Sequence, residues 1–318
     1  MKVCIAGVGA FGQKHLEAIA AIDGVSVASI VGGHSLDHAR SVAQRFGVAH
    51  VTLDLNESLA REDVDAVILC SPTQVHAAQA MACLQAGKPV QVEIPMADNL
   101  ADARALVALQ QKTGLVAMAG HTRRYNPGHQ WIRRRIASGE LTLQHLDVQT
   151  FFFRRSNINA AGQPRSWTDH LLWHHACHTV DLFQYQTGQV ASQVHAMQGP
   201  LHPTLGIAMD MSVQVKVPSG ALCSLTLSFN NNGPQGTFFR YICDNGTYIA
   251  RYDELVDGNG QSVDLSGVDV SLNGIELQDR DFFQSIRQGR DPVANMVSVL
   301  PAYETLDRLE RSLHYPVN

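Results

Sequence analysis

Six residues near the amino terminus, Gly7-Val8-Gly9-Ala10-Phe11-Gly12, constrain this chain more than any other segment. They follow an apolar, strand-like run from Lys2 to Ala6 and open a helix-patterned stretch from Gly12 to Ala21. Glycines at this spacing have separate tasks. Gly7 permits a tight turn, Gly9 lets the backbone approach a pyrophosphate, and Gly12 allows the helix to pack closely on the strand. Amides at the helix start then face phosphate oxygens. The placement predicts a dinucleotide-binding βαβ unit with Gly7, Gly9, Ala10, Phe11 and Gly12 as cofactor contacts.

The alternation continues beyond the loop. Strand-like runs at Lys2 to Ala6, Ser26 to Val31, Ala66 to Cys70, Val90 to Val92 and Val116 to Ala119 are separated by helical patterns, which predicts a doubly wound parallel sheet of Rossmann type. After Tyr125-Asn126-Pro127 the texture changes. A basic helix leads to a strand from Gln144 to Phe153, a polar loop, a helix from about Thr168 to Tyr185, and runs at Met211 to Val217, Leu222 to Phe229 and Phe238 to Cys243. That half reads as an α/β domain with an open, mostly antiparallel sheet and helices on one face. The expected division is 1–122 for the cofactor domain and 123–318 for a substrate-binding and oligomerisation domain, with the last helix able to pack back on the first.

At 318 residues, 45% of them hydrophobic, the chain is long enough for two cores. No apolar run reaches the roughly 20 residues needed to cross a bilayer, and no basic leader precedes the first strand. Six cysteines lie scattered with no C-x-x-C pair, as reduced core residues of a cytoplasmic protein do. A net charge of −5 argues against nucleic-acid and membrane partners. Locally, however, His121 to Arg165 holds eight arginines against two acids, Glu140 and Asp147. Arg133 to Arg135 read as a solvated helix face, whereas the pairs beside aromatic and turn residues suit anion recognition.

Cofactor choice turns on the end of the second strand, Ile30-Val31-Gly32-Gly33-His34-Ser35, where no acid appears before Asp37. An acid there would accept from a ribose 2′-hydroxyl and repel a 2′-phosphate. Its lack favours NADP, with NAD accepted less well, and makes His34 and Ser35 candidate phosphate donors, with Arg40 more distant. Further along, His170, His174 and His178 recur every four residues, so a continuous helix would stack them on one face with Asp181 one turn on. Three readings remain open for that column: histidines bonded within a domain interface, a zinc site lacking an obvious third ligand, or a general base at His178 aided by His174.

Further segments, Ser71-Pro72-Thr73-Gln74-Val75-His76-Ala77, Ala86-Gly87-Lys88-Pro89-Val90, Glu93-Ile94-Pro95, Arg124-Tyr125-Asn126-Pro127 and His178-Thr179-Val180-Asp181, resemble the Gfo/Idh/MocA oxidoreductase family across essentially the whole chain. Val92 to Pro95, Gly120 to Arg124, Phe152 to Arg155, Ser166 to His175 and Cys243 to Thr247 match one branch more closely. That branch acts in the protocatechuate 4,5-cleavage route of aromatic catabolism.

The resemblance implies an NADP-dependent dehydrogenase oxidising a small dicarboxylate hemiacetal to a pyrone dicarboxylate. It also implies a homodimer or homotetramer. Ser71, Pro72, Thr73, His76 and Glu93 join the implied cofactor contacts, and Glu93, His174 and His178 form the implied catalytic set. Two carboxylates on the substrate give the arginines a purpose: Arg123, Arg124, Arg154 and Arg165 become candidate clamps, with Trp167, Thr168, Asp169 and His175 shaping the mouth. The chain departs from the general family pattern at Ile94, where most relatives carry lysine, and at His174, where most carry aspartate. A hemiacetal hydroxyl is more acidic than an ordinary alcohol and its ring oxygen assists hydride departure, so a histidine base suffices and no metal is called for. A sugar or polyol dehydrogenase of the same family and a catalytically silent cofactor-binding regulator stand as alternatives.

Overall fold

A computed structural model describes residues 1–33, 35–158, 168–269 and 274–314. The chain divides into two compact units, one formed by Met1–Thr122 with Ile275–Leu300, the other by Arg123–Gly274 with Pro301–Asn318. The boundary is therefore not a single cut, because a stretch near the carboxyl end belongs with the first unit.

In the first unit the order is β1 (Lys2–Ala6), α1 (Ala10–Ala20), β2 (Ser26–Val31), α2 (Leu36–Phe46), β3 (His50–Thr52), α3 (Leu55–Leu59), β4 (Ala66–Leu69), α4 (Thr73–Gln85), β5 (Val90–Val92), α5 (Leu100–Thr113) and β6 (Ala117–Ala119). The strands form one parallel sheet in the order β3-β2-β1-β4-β5-β6. Cys4, Ile5, Val67, Ile68 and Leu69 are fully buried, as strands covered on both faces must be. Strand order reverses between β1 and β4, where Cys4 pairs with Val67 and Ala6 with Leu69. The carboxyl ends of those two strands are the place where such sheets bind ligands.

The second unit holds α6 (Pro127–Ser138), β7 (Leu143–Phe151), α7 (Cys177–Thr187), β8 (Gln193–Gln198), β9 (Asp210–Lys216), β10 (Leu222–Ser228), β11 (Gly236–Cys243), β12 (Gly246–Arg251) and β13 (Glu254–Asp257). These strands form a seven-stranded sheet ordered β13-β12-β11-β7-β10-β9-β8, antiparallel except for the β7–β10 pair. Alternating residues such as Leu146 and Val148, Met211 and Val213, and Cys223 and Leu225 are buried, the period-two pattern of a sheet covered on one face. Two helices close the chain, α8 (Ile275–Gln288) in the first unit and α9 (Met296–His314), which the division cuts at Pro301.

The two-sheet α/β architecture agrees with the sequence expectation, and Lys2–Ala6 and Ser26–Val31 fall on the expected residues. Strands β3, β8, β12 and β13 had no separate expectation. The histidine helix requires a correction. No helix starts at Thr168; Leu171–Ala176 is a π-helical stretch that runs into α7, and His170 is its extended cap, with Nδ1 accepting from Leu172 N at 3.2 Å. A wider turn changes the angular step per residue, so His170, His174 and His178 do not form one α-helical column.

Candidate functional site

In the first unit the glycine loop is closed by sterics. Gly7 has φ +95°, and a Cβ on it would lie 2.4 Å from the Cys70 carbonyl oxygen; one on Gly12 would lie 1.9 Å from that of Gly7. Gly9 differs, since its Cβ would meet nothing within 4 Å. That opening is the cradle a pyrophosphate needs. No acid sits in the first turn of α1 and no side chain caps it, so its amides are free to receive an anion and the loop fits a dinucleotide. Ala10 and Phe11 are exposed, with the Lys14 ammonium 5.0 Å from the Phe11 ring centre.

At the end of β2, His34 lies outside the described residues. Ser35 caps α2, its Oγ accepting from His38 N at 3.2 Å, and the exposed Arg40 stands 3.8 Å from Asp37. Ser71, Pro72 and Thr73 carry the chain from β4 into α4, and the Ser71 hydroxyl donates to Gln79 Oε1 at 2.5 Å. His76, an expected cofactor contact, is held between two loops. Its ring is 2% exposed, with Nδ1 2.8 Å from the Pro95 carbonyl and Nε2 2.7 Å from that of Ser71. It bridges the loops after β4 and β5, and burial lowers its pKa.

Glu93 follows β5 directly, ahead of a cis Ile94-Pro95 peptide. Its Oε1 lies 3.2 Å from His15 Nε2 and accepts from Gln278 Nε2 at 3.4 Å. Neither partner was legible as a site residue: His15 sits on the buried side of α1, and Gln278 lies 185 positions away on α8.

In the second unit two of the candidate arginines each hold a carboxylate of the chain itself. Arg124 is buried and pairs through Nε and Nη2 with both oxygens of Asp181, at 2.9 and 2.6 Å, with its guanidinium 4.7 Å from the Tyr185 ring centre. That carboxylate is the chain's own, as is the one Arg154 holds.

Arg154 ion-pairs with Asp169 through Nη2 and lies 4.6 Å from the Phe229 ring centre, while its buried Nη1 has no hydrogen-bond partner among the described residues. His175 packs between Phe152 and Phe229, at 5.3 and 5.2 Å between centres, with Nε2 3.6 Å from Asp169 Oδ2. Burial opposes ionisation of Asp169, but His174, His175 and Arg154 outweigh it and hold its carboxyl well below the usual range. Thr168 Oγ1 accepts from Asn157 Nδ2 at 3.0 Å.

His174 stacks edge-on to His175 at 5.0 Å, and His178 stands in the first turn of α7, half-buried. Arg123 has its guanidinium 5.6 Å from the Phe239 ring centre, and burial lowers its pKa. Arg165 and Trp167 lie outside the described residues.

Ligand atoms of Asp169, His174 and His175 fall within 4.8 Å of one another, a grouping that could hold a metal ion. Arg154 is already bound to Asp169, so a cation there would have to displace or repel a guanidinium. With Arg154 Nη1 buried and without a hydrogen-bond partner among the described residues, the cluster suits an anion better.

A nucleotide-binding loop on a parallel sheet, with a second unit built on an open mixed sheet, is an oxidoreductase architecture, and comparison with known proteins agrees. Residues 1–121 match the family described as "Oxidoreductase family, NAD-binding Rossmann fold", and residues 127–269 match "Bacterial oxidoreductases, C-terminal". This chain belongs to the Gfo/Idh/MocA oxidoreductase family. It is 61% identical, over 98% of its own length and 99% of the relative's, to 4-carboxy-2-hydroxymuconate-6-semialdehyde dehydrogenase of Sphingobium sp.. Its fold also superposes on a levoglucosan dehydrogenase in complex with NADH, with TM-score 0.86 at 18% identity, covering 99% of this chain and 97% of that one. An oxidoreductase from Agrobacterium radiobacter in complex with NAD+, L-tartaric acid and magnesium gives 0.83 at 17% identity, covering 99% and 96%.

Proposed function

We propose that this protein oxidises the cyclic hemiacetal of 4-carboxy-2-hydroxymuconate-6-semialdehyde to 2-pyrone-4,6-dicarboxylate, with NADP preferred over NAD. The reaction class follows from the family and from the full-length similarity to a dehydrogenase of that name. For the substrate class, one observation carries the argument: Arg154 Nη1 is buried without a hydrogen-bond partner among the described residues. An unmet buried donor is costly, and a carboxylate satisfies a guanidinium nitrogen with a charge-assisted bond.

Bound nicotinamide would supply the hydride acceptor. The chain's residues do the remainder: the glycine loop and α1 bind the phosphates, and Arg154 with His175 fixes one substrate carboxylate. His178 accepts the hydroxyl proton as the carbon–hydrogen bond breaks and the carbonyl forms, with His174, four residues earlier, to orient it. Glu93 meets the nicotinamide ribose. A small-molecule substrate and a homodimer or homotetramer complete the reading. Among the described residues no helix is long and apolar enough to cross a membrane.

Protocatechuate opened enzymatically at its 4,5 bond, mixed with the protein and NADP, should give the absorbance of reduced nicotinamide and the pyrone product. No reduction with either NADP or NAD would sink the proposal.

A further inference from the structure

Behind Glu93 lies a charge array assembled from three distant stretches of the first unit. His15, three residues past the last glycine of the loop, is 0% exposed. Its Nδ1 lies 2.9 Å from both carboxylate oxygens of Asp279 on α8, and its Nε2 lies 3.2 Å from Oε1 of Glu93. Asp279 is also fully buried and accepts from Gln91 Nε2 at 2.7 Å. Gln278 donates to the same Glu93 Oε1 and accepts from the Thr122 hydroxyl at 2.9 Å.

A carboxylate offers only acceptors, so an imidazole facing one on each nitrogen must carry both protons. Geometry thus makes His15 an imidazolium. Burial alone would strip its proton, but Asp279 and the neighbouring Cys70 outweigh burial and raise its pKa well above the ordinary value. One cation between two anions leaves a negative charge over at the carboxyl end of β5. Both bonds onto Glu93 fall on Oε1, while Oε2 has no hydrogen-bond partner among the described residues. Gly120 closes another side, since a Cβ there would meet Glu93 Oε1 at 2.6 Å. The carboxylate is held by one oxygen and offers the other.

We propose that His15, clamped by Asp279, is a positioning residue for cofactor binding: it pins Oε1 of Glu93 so that Oε2 is presented, still charged, to the nicotinamide ribose. This rests on the reading of Glu93 as a ribose contact. The surplus negative charge then favours the oxidised nicotinamide, which is cationic, over the neutral reduced form.

Dissociation constants for NADP+ and NADPH, measured by calorimetry on Glu93→Gln, Asp279→Asn and the double variant, test the arrangement. Glu93→Gln should weaken NADP+ about tenfold, the usual worth of a hydrogen bond to a charged group, with a smaller effect on NADPH. Asp279→Asn should do much the same, and the double variant should be no worse than Glu93→Gln, because the buried pair acts through Glu93 alone.

Unchanged NADP+ affinity in Glu93→Gln overturns the ribose reading and the proposal with it. A loss in Glu93→Gln combined with a neutral, additive or redox-blind effect of Asp279→Asn overturns the role of His15 alone. Should Asp279→Asn not fold, His15→Gln, which keeps a side-chain donor for one carboxylate but carries no charge, replaces it in the same cycle and is read by the same outcomes.

Discussion

His129 packs edge-on to Phe239 at 4.6 Å, and its Nδ1 lies 2.7 Å from the Tyr241 hydroxyl. Burial, aided by nearby Arg123, pushes its pKa down to about 3. Below the unfolded value near 6.5 the unfolded chain binds a proton that the folded ring refuses, so this group's contribution to stability falls as pH drops towards 3. Urea midpoints at pH 7 and 5 should show a loss of up to about 1.4 kcal/mol per pH unit from this group. His129→Gln should flatten that slope, and an identical slope would refute it.

The two arginines differ in the same measurable way. Arg124→Ala removes the guanidinium that holds the buried Asp181 carboxylate and should cost about 3–5 kcal/mol of stability, read by denaturant titration. Arg154→Gln should raise KM by at least about tenfold with little change in kcat, as loss of a uniform binding contact does. His178→Ala should lower kcat by about two orders of magnitude or more; near-normal turnover would remove it from the chemistry. An excess of arginine was legible in the sequence, but which of the chain's own carboxylates each one holds was not, because Asp181 lies 57 positions from Arg124.

At the level of elements, the glycine loop separates fold from function in a single turn. Gly12→Ala drives a Cβ to 1.9 Å from a carbonyl oxygen and should destabilise the fold, whereas Gly9→Val projects into open space. Gly9→Val should keep its thermal midpoint while weakening NADP at least about tenfold, since only the ligand needs that space. Comparable losses of stability in both variants would contradict this division. Strands β1 and β2 were readable because apolar periodicity and the glycine spacing are local signals. The π-helical stretch was not: Leu171 to Ala176 looks like any amphipathic helix, and a wider turn leaves no mark in composition. Reading four-residue spacing as a face presupposes α geometry, which fails at His170.

For the whole molecule, the two-sheet architecture followed from the change in texture after Tyr125-Asn126-Pro127, while the return of Ile275–Leu300 to the first unit had no such cue. That return carries a consequence for synthesis. When residue 122 leaves the ribosome, His15 has no Asp279 to hold it, and the partner helix is still about 150 residues away, on the order of 10–30 s at usual elongation rates. A nascent amino-terminal segment must therefore wait with His15 facing Glu93 on one nitrogen but without the buried carboxylate that holds the other. Gene fusions or truncations ending there would inherit that vulnerability permanently.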